Sequence, residues 1–198
     1  MTNGEMLDYI THGQEERNLE YKSDGCWSDQ RFRSKLIKTI LAMSNIQHGG
    51  ILIIGVTEND EVFSAIGIGD ENALSYRQDD VSTVVNEYAD PFVDVNVTRI
   101  KIDDKKFIII EVAEFDSIPT LCKRDDQYGL RRGAIYVRPR RMNQSIEVPT
   151  QTDMREIIDL AVDKQLTKTW RRLNLINQNS QAGELGGEQF NNQLEGLV

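Results

Sequence analysis

The apolar positions of this chain change period several times, and each change marks an element. Phe32, Leu36, Ile37, Ile40, Leu41 and Met43 recur at helical spacing. Asp29 stands where an N-cap belongs, so the pattern predicts a helix over 29–46. The period then gives way to an unbroken run, Ile51-Leu52-Ile53-Ile54, which reads as a buried strand continuing to Val56. Glu58-Asn59-Asp60 predicts a turn into a second strand over 62–66. Residues 72–88 read as one helix, ended at Asp90-Pro91 because proline pushes the preceding residue out of helical conformation. Val93, Val95 and Val97 alternate with Asp94 and Asn96, the period of a half-exposed strand. The polar turn Asp103-Asp104-Lys105-Lys106 leads into a buried strand over 107–112, completing a hairpin.

Weaker patterns predict a short helix over 3–11 and short strands over 18–22, 120–123 and 134–138. A final helix is expected over 152–173, with Met154, Ile157, Ile158, Ala161, Leu166 and Trp170 as its apolar face. Residues 174–198 are rich in Asn, Gln, Gly and Glu, and predict a disordered tail. Helices mixed with hairpins predict an α+β fold, a single domain with a mixed β-sheet flanked by helices. That domain is expected over 1–148, with the C-terminal helix at 149–173 packed on it or extending from it.

Composition narrows the function classes. The 198 residues, 39% hydrophobic and 28% charged, suit one globular core. No apolar run approaches the roughly 20 residues that span a bilayer. The first residues lack the basic and apolar regions of a signal peptide, so a cytoplasmic protein without a membrane partner is expected. Two cysteines (Cys26, Cys122) and two histidines (His12, His48) have no zinc-site spacing. No G-x-x-x-x-G-K-[ST] occurs, which removes support for ATP. A metal here would be oxygen-ligated, Mg²⁺ or Mn²⁺. The formal charge of −9 argues against loose, charge-driven capture of nucleic acid. Yet Lys123, Arg124, Arg131, Arg132, Arg138, Arg140 and Arg141 crowd one stretch, against only Asp125 and Asp126.

The candidate chemistry begins at Glu20-Tyr21-Lys22. Residues two apart share a strand face, so Glu20 and Lys22 point the same way. A carboxylate beside an ammonium can hold a cation near a phosphate; equally, it can be a surface ion pair worth about 0–1 kcal/mol. Glu15 reaches Glu20 only if the chain bends near Gly13; otherwise Glu15 and Glu16 are solvated loop acids. Acids clustered beside a buried strand are costly unless a metal, a cation or a proton compensates them. Gly49-Gly50 reads as a helix end and tight turn, with His48 a loop residue. Around Arg131–Arg141, arginine forks suit phosphate oxygens, and Tyr136 could stack on a base if exposed. The alternative is an ordinary strand whose arginines pair with the protein's own acids.

Taken together, these segments resemble the AlbA_2 domain, also called the Schlafen AlbA_2 domain, over about residues 15–160. The family pattern is an acidic residue, a short gap and E-[FY]-K. A helix ending in A-x-x-N-x-x-G-G follows, then a strand into G-V and an acidic turn. Here these are Glu15, Glu20-Tyr21-Lys22, Ala42 to Gly50 with Asn45, and Gly55-Val56-Thr57-Glu58. A proline-marked strand and Y-[IV]-R follow, matched by Ile118-Pro119-Thr120 and Tyr136-Val137-Arg138.

The resemblance implies nucleic-acid handling. In Schlafen-type ribonucleases, two glutamates and an aspartate form a metal-dependent site that cuts tRNA and rRNA. By motif position these are Glu15, Glu20 and Glu58, the last a Glu where the family more often has Asp. The implied activity is a Mg²⁺- or Mn²⁺-dependent endoribonuclease on structured, tRNA-like RNA, with a role in bacterial stress or phage defence. Lys22 would neutralise the phosphate or orient the nucleophile. Lys123, Arg124, Arg131, Arg132, Tyr136, Arg138, Arg140 and Arg141 would grip the nucleic acid. Schlafen cores join two lobes into a clamp, and a single set of motifs here implies a homodimer. The alternatives are a non-catalytic DNA- or RNA-binding regulatory module and a protein–protein subunit of a larger complex.

Overall fold

The computed structural model describes Tyr9 and residues 16–59 and 62–195, with side chains, Asn59 excepted, as far as Leu173. The expected helix over 3–11, Tyr9 apart, and Glu15 lie outside the described residues. In chain order come β1 (Leu19–Lys22), α1 (Gln30–Ser44), β2 (Gly50–Ile54), β3 (Val56–Asn59) and β4 (Val62–Ala65). Then follow α2 (Asp70–Leu74), α3 (Gln78–Tyr88), β5 (Ala89–Asp90), β6 (Val95–Ile102) and β7 (Lys105–Val112). The last are β8 (Leu121–Cys122), β9 (Tyr136–Val137), β10 (Ile146–Glu147) and α4 (Gln151–Glu195). The fold is α+β, as expected.

The main sheet has the order β1-β2-β7-β6. β1 runs parallel to β2 while β7 is antiparallel to both β2 and β6, so the sheet is mixed. Register sorts its side chains into two faces. Glu20, Leu52 and Ile110 form one row, and Lys22, Ile54 and Ile108 the next, on the face where Leu52, Ile54, Ile108 and Ile110 share a core with α1. Leu19, Tyr21, Ile53, Phe107 and Ile109 fill the opposite face. Two carboxylate- and ammonium-bearing side chains therefore lie on the helix-covered face of an edge strand.

α1 starts as its sequence predicts. The Asp29 carboxylate accepts from the backbone N–H groups of Arg31 (2.8 Å) and Phe32 (3.1 Å). Leu36, Ile37, Ile40, Leu41 and Met43 are all buried, each contributing about 1.5–3 kcal/mol relative to exposure. At its far end Gly49 has φ +69°, and a Cβ there would collide with the Val112 carbonyl. The β2–β3 corner likewise needs glycine: Gly55 has φ +110° and lies against Gly67 and Phe107.

The single helix expected over 72–88 is instead two, α2 and α3. The Ser75 hydroxyl donates to the Asn72 carbonyl (2.6 Å) and accepts from the Trp27 N–H (2.9 Å). Tyr76 is buried beside it, its hydroxyl donating to the Gly25 carbonyl (2.8 Å). The local Ser75 bond and the long-range bonds to Trp27 and Gly25 together outcompete a continuous helical ladder. The strands expected over 120–123 and 134–138 are reduced to β8, paired with β5, and β9, paired with β10.

α4 begins where the final helix was expected, but its apolar face is mostly open. Ile157 is buried, whereas Ile158, Leu166 and Trp170 are exposed, as are Val162 and Leu173. The chain divides into two compact units, Met1–Ile158 and Asp159–Val198. The disordered tail expected over 174–198 falls where side chains are not described. Among the described residues, no helix is long and apolar enough to cross a membrane.

Candidate nucleic-acid interface

Glu20 sits at the meeting point of two distant segments. Its two carboxylate oxygens are each engaged by a cation, one by Lys22 Nζ and the other by Arg138 Nη1. Arg138 is fully buried and Glu20 nearly so. The second guanidinium nitrogen reaches the carbonyls of Glu16 and Leu19, both at 3.4 Å. The E-x-K of β1 and the arginine that follows β9 thus form one ion network, 118 residues apart in sequence. Burying a carboxylate at this edge is costly, and the two cations are what offset it. Arg138 therefore positions Glu20, correcting the expectation that it faces a ligand.

Arg17, which no sequence motif marks, extends the network outward. Its Nε donates to the Arg138 carbonyl (2.5 Å), and its two terminal nitrogens hold the Glu156 carboxylate at 2.5 and 3.1 Å. Arg140 joins Glu156 at 3.1 Å. Burial opposes ionisation of Glu156, but Arg17 and Arg140 outweigh it and hold the carboxyl below its usual range.

Among the described residues, Glu58, the other expected metal ligand, does not converge on Glu20. Glu15 is outside the described residues. Glu58 is exposed on the β3–β4 hairpin, opposite Phe63, whose ring packs 5.0 Å from Tyr21. Tyr21 faces away from Glu20. Among the described residues, no group of three or more His, Cys, Asp or Glu side chains is placed to hold a metal. A divalent ion on Glu20 would also sit beside an ammonium and a guanidinium already bonded to that carboxylate. As arranged, the described members of the set, Glu20 and Glu58, do not fit the metal that the resemblance implies.

The remaining motifs are also architectural. Asn45 is buried at the C-cap of α1. Its amide donates to the carbonyls of Leu41 (3.2 Å), Thr120 (2.8 Å) and Tyr136 (3.0 Å), while its oxygen accepts from the Thr120 N–H (2.8 Å). One side chain thereby ties the helix end to both short strands. Tyr136 is buried as well, its hydroxyl accepting from the Arg131 N–H (2.8 Å) and donating to the Gly129 carbonyl (3.2 Å). Burial raises its pKa. A ring so enclosed is not available to stack on a base, which corrects that expectation.

Six expected cations stay exposed: Lys123, Arg124, Arg131, Arg132, Arg140 and Arg141. The loop that carries several of them is organised by acids. The Asp126 carboxylate accepts from the N–H groups of Tyr128 and Leu130 (both 2.8 Å) and from the Ser34 hydroxyl. Burial opposes its ionisation, yet these bonds hold its pKa down. Asp125 accepts from the Arg132 N–H (2.9 Å). Arg124 pairs with Glu87, and Arg131 with Glu147, at 2.7 and 2.8 Å. Such exposed pairs are worth about 0–1 kcal/mol and exchange readily for a phosphate. Among the described residues, Arg132 and Arg141 make no ion pair with their side chains.

The model of the Schlafen AlbA_2 family matches residues 15–147, more than half of the chain. The chain belongs to this family. AlbA_2 domains are typically associated with nucleic acid. No curated protein matches the chain. Among solved structures it is similar to the DIP2311 protein from Corynebacterium diphtheriae, with 13% identity and a TM-score of 0.48. That match covers 76% of this chain but only 27% of the other. It is also similar to the N-terminal domain of a RecG-related protein from Nitrosomonas europaea, with 19% identity and a TM-score of 0.46, covering 74% of this chain and 90% of that one.

Proposed function

We propose that this chain is a nucleic-acid-binding module that holds the phosphate backbone with the exposed cations of residues 123–141. The observation that carries the reading is the division of labour among the AlbA_2 residues. Glu20, Lys22, Asn45, Tyr136 and Arg138 are spent on the framework, while Arg132 and Arg141 are exposed and, among the described residues, without an ion-pair partner. Guanidinium forks match phosphate oxygens in geometry and charge. The acidic balance of the whole chain confines binding to this region.

The endoribonuclease reading, with Glu15, Glu20, Glu58 and Lys22 at the reacting phosphate, takes second place because two cations already occupy Glu20. One assay separates the two. A tRNA-like RNA is titrated with wild type and with R132E/R141E, followed by fluorescence anisotropy, and RNA integrity is recorded with Mn²⁺ or EDTA. The binding reading predicts that the double variant loses about tenfold or more in affinity and that its salt slope falls by about two. Unchanged affinity sinks it. Mn²⁺-dependent cleavage lost in both E20A and E58A would install the nuclease in its place.

The module acts as a homodimer in this reading, paired through α4. Val162, Leu166, Trp170 and Leu173 form an exposed apolar stripe at helical spacing. The acids Asp153 and Asp159 precede it, Asp163 lies at its start, and the bases Lys164, Lys168, Arg171 and Arg172 accompany it. Two such helices side by side and antiparallel would set acids against bases along an apolar seam.

A further inference from the structure

The backbone from Tyr88 to Val93 presents an aromatic ring that the core does not use. Val93 is buried and its backbone is clamped by Asn86, whose side chain accepts from the Val93 N–H (2.8 Å) and donates to its carbonyl (3.0 Å). Phe92, one residue earlier, points the other way and is 79% exposed. Pairing of β5 with β8, Ala89 opposite Cys122, extends to a bond from the Lys123 N–H to the Tyr88 carbonyl (2.7 Å). It brings two cations of the 123–141 segment onto these rings. Lys123 Nζ lies 5.7 Å from the Phe92 centroid, and Arg124 Cζ lies 5.7 Å from that of Tyr88.

A single exposed phenylalanine needs no explanation by itself. Here, however, the ring is held by a fixed backbone, and an ammonium over it is free to contact a phosphate. An exposed aromatic face beside a cation is the composition with which proteins hold single strands, the ring stacking on a base and the cation meeting the backbone. We propose that Phe92 and Lys123, flanked by Tyr88 and Arg124, form a stacking site for an unpaired nucleobase. The nucleic acid taken by the module is therefore single-stranded at this point. This deepens the binding reading above and rests on it.

The charge balance favours stacking as the main source of affinity at this site. Glu87 pairs with Arg124, and Asp90 is exposed nearby, so electrostatic attraction to phosphate is weak here. Stacking, unlike phosphate contact, is little affected by salt. The bases of a duplex are already stacked on their neighbours and offer no face to Phe92, which distinguishes a single strand from a duplex. The alternation of Val93 and Val95 as buried positions, with Val97 half-buried, places Phe92 on the exposed side of the chain.

The test uses the full chain and a 12-nucleotide single strand, as RNA and as DNA, carrying a central 2-aminopurine, with the matching duplex as control. Wild type, F92A, F92W, K123A and R132E/R141E are compared. We expect F92A to lose about 5- to 150-fold in affinity for the single strand, at low and high salt, with little change for the duplex. F92W retains the binding, K123A weakens it, and the 2-aminopurine fluorescence change seen with wild type disappears in F92A. Because Phe92 is exposed, F92A should keep the wild-type melting temperature, and F92W covers the case in which it does not. If F92A binds the single strand like wild type while R132E/R141E is weakened, the stacking site is wrong and the binding reading stands. If no chain binds either nucleic acid, both fall. A Phe92 substitution that changes oligomeric state and leaves nucleic-acid affinity intact assigns the ring to a protein interface and overturns the proposal.

Discussion

At the scale of single residues, Glu20 and Lys22, which look catalytic in sequence, are consumed by the fold. Glu20 is compensated by Lys22 and Arg138, so the cost of burying it is met from within the chain. Cutting Arg138 back to an apolar residue would leave Glu20 buried with Lys22 alone. Arg138→Met is expected to cost about 3–5 kcal/mol of stability in urea unfolding. The double variant E20Q/R138M should cost less than the two single substitutions added together, because their effects are coupled. Additive losses would mean that the pair does not act as a unit. In sequence, Glu20 and Lys22 have the spacing of a surface ion pair, with no sign of the third partner. Nothing in the local pattern connects position 20 to position 138; only the pairing of the elements does.

At the scale of elements, what was legible followed local rules. The Asp29 cap, the α1 stripe, the β2 run and the β6–β7 hairpin each carry their signal within a few residues, and all four are present. The break between α2 and α3 was not legible, because it depends on Trp27 and Gly25, about fifty residues away. The burial of Tyr136 depends likewise on residues distant in sequence, the α1 side chains whose core it joins. α4 differs in kind: its periodicity was plain, but the partner for its apolar face is not in the described part of the chain. If that partner is a second copy, Leu166→Glu should convert a dimer to a monomer in light scattering while the melting temperature of the Met1–Ile158 unit holds. A wild-type chain that is monomeric at high concentration would rule out this pairing.

At the scale of the whole molecule, the AlbA_2 signature describes a scaffold. A mixed sheet carries Glu20 on an edge strand, Asn45 ties α1 to the two short strands, and Arg138 connects the segment after β9 back to β1. That frame holds out a cationic loop and an aromatic ring on an otherwise acidic protein, and these are the surfaces to which the account assigns the nucleic acid. The most direct measurement is photo-crosslinking of a 4-thiouridine-labelled single-stranded RNA to the full chain, with the linked peptides mapped by mass spectrometry. Crosslinks are expected within residues 88–92 and 123–141, concentrated near Phe92, Lys123, Arg132 and Arg141. Crosslinks centred on β1 and the β3–β4 hairpin, around Lys22 and Glu58, would contradict it and return the ligand to the carboxylates.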